Sequence, residues 1–193
     1  MPWIDLPPCR ETKYAGALGD ITSRVPANYP DYSDPDEVTF GHESSHGVSA
    51  RIRNEHRTAN GFYCLNNRAY VCDSPAFTLK QLADRIPESI RRQVFKLYLI
   101  DQQRHWNETP LYVCEEMVCY TLGCRVGLER ELAKRTLDSL DRAMELYEYC
   151  RVAQAMMRET NYLQQDDFDS FLAEFYHEGL GSVIRECTAK GWL

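Results

Sequence analysis

Residues 42–46 read His-Glu-Ser-Ser-His. Positions four apart lie on one face of a helix, so His42 and His46 can point their imidazoles at one metal ion. Glu43 is turned about 100 degrees from His42 around the helix axis, which sets it beside such an ion and not on it. A carboxylate there can take a proton from water activated at the metal, the general-base role in this motif. Zinc suits the set best, because two imidazoles and a carboxylate leave a fourth position open. Apolar Val38, Phe40 and Val48 flank the motif, whereas an accidental match on a solvated face would have charged neighbours. Gly47 follows directly and is read as making room at the site. Gly within a helix costs about 1 kcal/mol and needs a reason to be there.

A third ligand is required. His56, His105, His177 and the acids downstream are the candidates. Glu116, with Glu115 beside it, is the strongest. Both sit in Leu111-Tyr-Val-Cys-Glu-Glu-Met-Val-Cys-Tyr-Thr-Leu122, an otherwise apolar and aromatic run. A carboxylate on a buried helix is costly unless it is paired or binds a metal. Tyr112, Glu116 and Tyr120 recur at intervals of four and share a face. Glu115 shares its face with Leu111, Cys119 and Leu122; it is expected to reach solvent and to be dispensable for metal binding. For the group that stabilises a developing oxyanion, Tyr112 is the first choice, one turn before Glu116; Tyr120, His105 and Arg104 are the others.

His-Glu-x-x-His on one helix with Glu on a later helix is the gluzincin arrangement. The stretch Tyr112-Val-Cys-Glu115-Glu116-Met-Val-Cys-Tyr120 resembles the ligand helix of antirestriction-type metallopeptidase domains. It is similar in plan to that of the anthrax lethal factor catalytic domain. The resemblance covers roughly residues 36–125 and is one of motifs. It implies a zincin-like fold, a zinc peptidase activity and Glu116 as third ligand, and it carries over no role connected with DNA. The chain departs from the pattern at residue 120. Those families place a carboxylate there to hold the first histidine, and this sequence has Tyr120, whose hydroxyl is expected to accept from an imidazole N–H instead.

The elements that must position these groups follow from periodicity and punctuation. The segment 1–36 is rich in Pro, Gly, Asp and Tyr and reads as extended chain or loop. Ser33, Asp34 and Pro35 mark a helix start, with the motif helix running to about Asn54. Gly61 to Cys72 reads as a hairpin turning at Asn66-Asn67, whose edge could pair with an extended peptide or simply cover the helices. Thr78 opens a short helix ending near Pro87, and a second passes through Ile90, Val94, Leu97 and Leu99. Pro110 opens a third, from Leu111 to Leu122, stopped by Gly123. Leu137, Leu140, Met144, Tyr147, Cys150, Ala153 and Met157 form the stripe of a long amphipathic helix. Asp167 to Cys187 gives one or two further helical pieces interrupted at Gly179 and Gly181. The expected architecture is one mainly α (α+β) domain over 1–193 with a small β-hairpin or sheet: an extended segment 1–36, a metal-site core 37–125 and C-terminal helices 126–193.

Bulk properties narrow the function. The 193 residues are 44% hydrophobic and 26% charged with net charge −7, ordinary for a globular protein and opposed to a nucleic-acid surface. No apolar run approaches the roughly 20 residues needed to cross a bilayer. The opening residues lack a signal-peptide pattern, so the expected location is the cytoplasm, or a leader has been removed. The eight cysteines form no CxxC pair and read as buried free thiols, with disulfides the alternative for an exported chain. The expectation is a zinc-dependent hydrolase acting on a peptide or protein, without nucleic-acid or membrane partners. Two alternatives stand beside it: a zinc-binding protein that is not a peptidase, and a helical interaction module whose partner surface is the helix 136–159.

Overall fold

A computed structural model describes residues 2–7, 11–26 and 34–193. The fold is mainly α with a small antiparallel sheet, as the periodicities predict.

Part of the N-terminal segment departs from the extended reading. Trp3–Asp5 forms strand β1, and Gly16–Arg24 forms helix α1. No proline falls between Ala15 and Val25, and Leu18 and Ile21 are three apart and fully buried. That spacing is enough to make one helical face, which the surrounding prolines obscure. Ser33 lies outside the described residues.

The motif helix α2 spans Glu37–His56. Its cap is Asp36, whose carboxylate accepts from the Val38 N–H and the Thr39 hydroxyl. Arg57, with φ of 52°, ends it in the left-handed conformation. Strands β2 (Asn60–Tyr63) and β3 (Arg68–Cys72) form the expected hairpin. The connection is longer than a two-residue turn: Leu65, Asn66 and Asn67 all take positive φ. β3 is central, with β1 on one side and β2 on the other. Tyr70 and Phe62 stack on Phe171, which fastens the sheet to the C-terminal helices.

Helix α3 (Leu79–Arg85) begins in a full capping box between Thr78 and Gln81. The helix expected through Ile90 to Leu99 is broken in two. Glu88–Ile90 makes one 3₁₀ turn, and Phe95–Asp101 follows as a wide-turned π-helical segment. Glu145, fully buried, accepts from the N–H groups of Arg92, Val94 and Phe95 at 2.7, 3.2 and 3.3 Å. It restarts the helix from below, acting as a cap supplied by a distant element. The short helix α4 (Gln103–Trp106) follows.

Helix α5 spans Tyr112–Glu129 and does not stop at Gly123. Gly123 sits where α5 crosses α2: a Cβ there would lie 3.0 Å from the Val38 carbonyl oxygen and 3.5 Å from the His42 Cβ. On the other side of the crossing, a Cβ on Gly41 would lie 2.9 Å from the Val126 side chain. The glycine is a contact residue and not a helix stop.

The long helix α6 (Ala133–Glu159) packs along α5. Leu140, Cys150, Ala153 and Met157 from its stripe are buried within the fold, and Leu137, Met144 and Tyr147 are partly buried against the core. Helix α7 (Gln165–Glu174), a wide turn at Phe175–Leu180 and helix α8 (Gly181–Ala189) run on without interruption. Gly181 permits the wide turn, since a Cβ there would meet the Tyr176 carbonyl oxygen at 2.7 Å. One hydrophobic core joins residues from Ala17 to Cys187. Among the described residues no helix is long and apolar enough to cross a membrane. The seven described cysteines are free, and all but Cys64 are buried.

The crossing yields a test. On an exposed helix Gly→Ala stabilises by about 1 kcal/mol. Gly123→Ala is expected to reverse that sign, because the added methyl meets a backbone carbonyl that no rotamer change can move, and overpacking costs about 1–3 kcal/mol. Gly123→Val should cost more. Thermal and urea unfolding of both variants checks this; a raised midpoint for Gly123→Ala would show that the helices do not depend on this contact.

Candidate metal centre

The α2–α5 crossing brings the motif residues against the apolar-flanked carboxylates. His42 and His46 lie on the α2 face toward α5, with their Nε2 atoms 3.3 Å apart. Glu116 points between them: its Oε2 is 3.5 Å from His42 Nε2 and its Oε1 is 3.5 Å from His46 Nε2. One atom from each of the three residues falls within 4.8 Å of the others, and no other group of described residues converges in this way. His56, His105 and His177 are exposed and elsewhere.

Glu116 is 2% exposed, and its Oε2 has no hydrogen-bond partner. A buried carboxylate oxygen left without a donor is costly. Two imidazole nitrogens and that oxygen, facing one point, are a donor set that fits zinc. The chemistry of the residues therefore accepts the ion that their spacing suggests.

The charges respond to burial and to one another. Burial pushes His42 down to about 4, against the pull of Glu116 and with help from His46 and Arg142. Burial also opposes the charged form of His46, but Cys119, Glu115 and Glu116 outweigh it and hold the imidazole well above its usual value. For Glu116 burial is outweighed by the two histidines and the Tyr112 hydroxyl, which hold it below the carboxylate range. Cys119, buried beside His46, is pushed up to about 11 by burial.

Glu43 stands apart. Its side chain is 42% exposed, and its Oε1 is 3.9 Å from His42 Nε2. Partial burial raises it, with Glu116 and Asp34 adding to the shift and His46 opposing it. It borders a cleft of about 340 Å³ together with His42, His46, Tyr98, Tyr112 and Glu116.

Tyr112 is at the cleft wall, its ring stacked on Trp106 at 4.1 Å and its hydroxyl beside Glu116. Tyr120 does not play the part expected of it. Its hydroxyl pairs with that of Tyr98 at 2.8 Å and accepts from Arg142 at 3.2 Å. Toward the site it offers its ring, 4.2 Å from the His42 ring, and His42 Nδ1 is buried without a partner. The π-helical segment supplies Tyr98 and so captures the hydroxyl that the imidazole would have used.

Glu115 also departs from expectation. It is 7% exposed and does not reach solvent. Its Oε1 accepts from His46 Nδ1 at 2.9 Å, and its Oε2 pairs with Arg53. Arg53 was the missing element: it lies seven residues after His46, two turns along the same face of α2. Tyr98, Gln102 and Trp106, which also line the cleft, carry no motif. The only signal for Tyr98 is its position one turn after Val94. The hairpin adds nothing to the cleft, since none of the described lining residues belongs to the sheet, and β2 is buried along its length.

No family profile, curated protein or solved structure matches the chain.

The geometry predicts one zinc per chain, with Glu116→Ala lowering affinity by more than about a hundredfold. Competition against a chromophoric chelator measures it. Zinc at a thousand times its Kd should also stabilise the fold by about 4 kcal/mol, seen as a raised melting temperature. Absence of binding by the unaltered protein, or an unchanged affinity in Glu116→Ala, would remove these residues from the metal site.

Proposed function

We propose that this protein is a zinc-dependent hydrolase, specifically a peptidase, with His42, His46 and Glu116 as metal ligands and Glu43 as general base. The observation that carries the reading is the joint placement of these residues: three ligand side chains converge at a buried point, and a fourth, semi-exposed carboxylate stands beside them in an open cleft. The motif spacing and the resemblance of the α5 segment to gluzincin ligand helices support the same assignment. A bound zinc ion would supply Lewis acidity and bring the acidity of water toward neutrality.

The remaining work falls to the chain. Glu43 accepts the proton of the attacking water and passes it to the leaving amine. Its raised proton affinity suits both halves of that transfer, because a general base works best with a pKa near the working pH. The Tyr112 hydroxyl donates to the oxyanion that develops on the substrate carbonyl. Burial pushes its proton affinity up, so it remains a donor. The ring stack with Trp106 limits its motion, which keeps the donor in place for the transition state.

The peptidase assignment is tested by Glu43→Gln. The amide is the same size but takes no proton, and zinc content and melting temperature should match the unaltered protein. Hydrolysis of a peptide library should fall by a factor of about 10²–10⁴, the usual contribution of general-base catalysis. If zinc is lost with the substitution, Glu43 is a ligand and the roles must be redrawn. If the unaltered, zinc-loaded protein cleaves no peptide, the peptidase reading fails.

A further inference from the structure

The proposed ligand set leaves one part-buried ion pair without a task. Glu115 and Arg53 sit on different helices, α5 and α2, and the carboxylate is spent on both oxygens: one on His46 Nδ1, the other on Arg53. Neither the motif nor the ligand count requires either residue. An imidazole has two nitrogens, and the hydrogen bond made by one decides what the other presents. A carboxylate at Nδ1 keeps the proton there and leaves Nε2 with its lone pair directed into the site. It also fixes the rotation of the ring about its attachment to α2.

We propose that Glu115 is a positioning residue for His46, and that Arg53 holds Glu115 in the orientation that does this. The inference rests on the zinc-hydrolase reading for its purpose, and its geometry stands on separate contacts. Arg53 reaches Glu115 from the same helix face that carries His46, so ring, carboxylate and guanidinium form a closed loop across the helix crossing. Rotation of the carboxylate would break the Arg53 contact as well as the His46 one. Glu115 alone would be a hinge, and Arg53 makes it a fixed acceptor. His42 has no such support, because its Nδ1 is unpartnered and its ring is held by contact with Tyr120. The two histidines are thus unequal, and the carboxylate serves the second one.

The test uses the full chain and two readouts, zinc affinity by chelator competition and the ring-nitrogen NMR signals of His46 in the metal-free protein above its titration. The unaltered protein should show the Nδ1–H tautomer. Glu115→Ala should lower zinc affinity by about 10–100-fold and mix the tautomers. Glu115→Gln, whose amide oxygen still accepts from Nδ1–H, should recover part of both. Arg53→Met should lower affinity several-fold with Glu115 intact, and Arg53→Lys less. Should Glu115→Ala fail to fold, Glu115→Gln and Arg53→Met carry the same comparison. If all variants keep the zinc affinity and ring signals of the unaltered protein while losing thermal stability, the pair is only a staple between helices and the inference is overturned. If the unaltered protein binds no zinc, the hydrolase reading falls, and the ring signals alone decide: tautomers mixed by Glu115→Ala uphold the positioning role, and unchanged tautomers overturn it.

Discussion

The site depends on how closely α2 and α5 approach. Helix pairs packed through ordinary side chains stand about 8–10 Å apart. Here Gly41 and Gly123 remove the side chains from the contact, and the Val38 carbonyl and the Val126 methyl occupy the space. Gly127 extends the seam one turn further, with Thr136 of α6 and Val38 against it. Three short residues along one line let histidines on one helix and glutamates on the other meet without long intervening side chains. The reach of an imidazole or a glutamate is only a few ångströms, so a small outward shift of α2 would separate Glu116 from both rings. The rest of the fold serves this contact: α6 backs α5, and α1 and β2 back α2.

Buried acids show what the fold does with charge. Glu115, Glu116 and Glu145 are each nearly or fully inaccessible. An ionised carboxylate out of water is tolerated only with compensating donors. Glu145 finds them in three backbone N–H groups and the Tyr149 hydroxyl, a wholly structural solution. Glu115 finds them in a guanidinium and an imidazole. Glu116 has the Tyr112 hydroxyl beside it and the histidines 3.5 Å away, longer than good hydrogen bonds, and its Oε2 has no partner. Of the three it is the one with a buried oxygen left without a donor.

The sequence was most legible where a pattern is local. A helix bearing His42 and His46, the hairpin, the α3 cap and the amphipathic α6 all rest on contacts within a few residues, and each is present. Placing Glu116 opposite the histidines drew on the cost of a buried carboxylate, on its spacing with Tyr112 and Tyr120, and on the resemblance to a ligand helix. What escaped reading depends on distant partners. Gly123 looks like a terminator until Val38 is known to press on it. Glu115 looks like a surface acid until Arg53, 62 positions earlier, is known to face it. The break before Phe95 has no sequence mark, because its cause is Glu145 on another helix. Local propensity proposes elements; the helix crossing decides where some of them end.

Residue 120 shows how such a distant contact changes a site. Position 120 is aromatic, and the two histidines are supported in different ways. His42 packs against the Tyr120 ring, 4.2 Å away and tilted by 50°, and no carboxylate meets its Nδ1. His46 is held by Glu115, one residue before Glu116, with its charge balanced by Arg53. Tyr120 spends its hydroxyl on Tyr98 and Arg142, tying the cleft wall to α6. An aromatic at position 120 is therefore coherent with its surroundings: the charge beside a histidine is supplied one residue before Glu116, where a guanidinium reaches it.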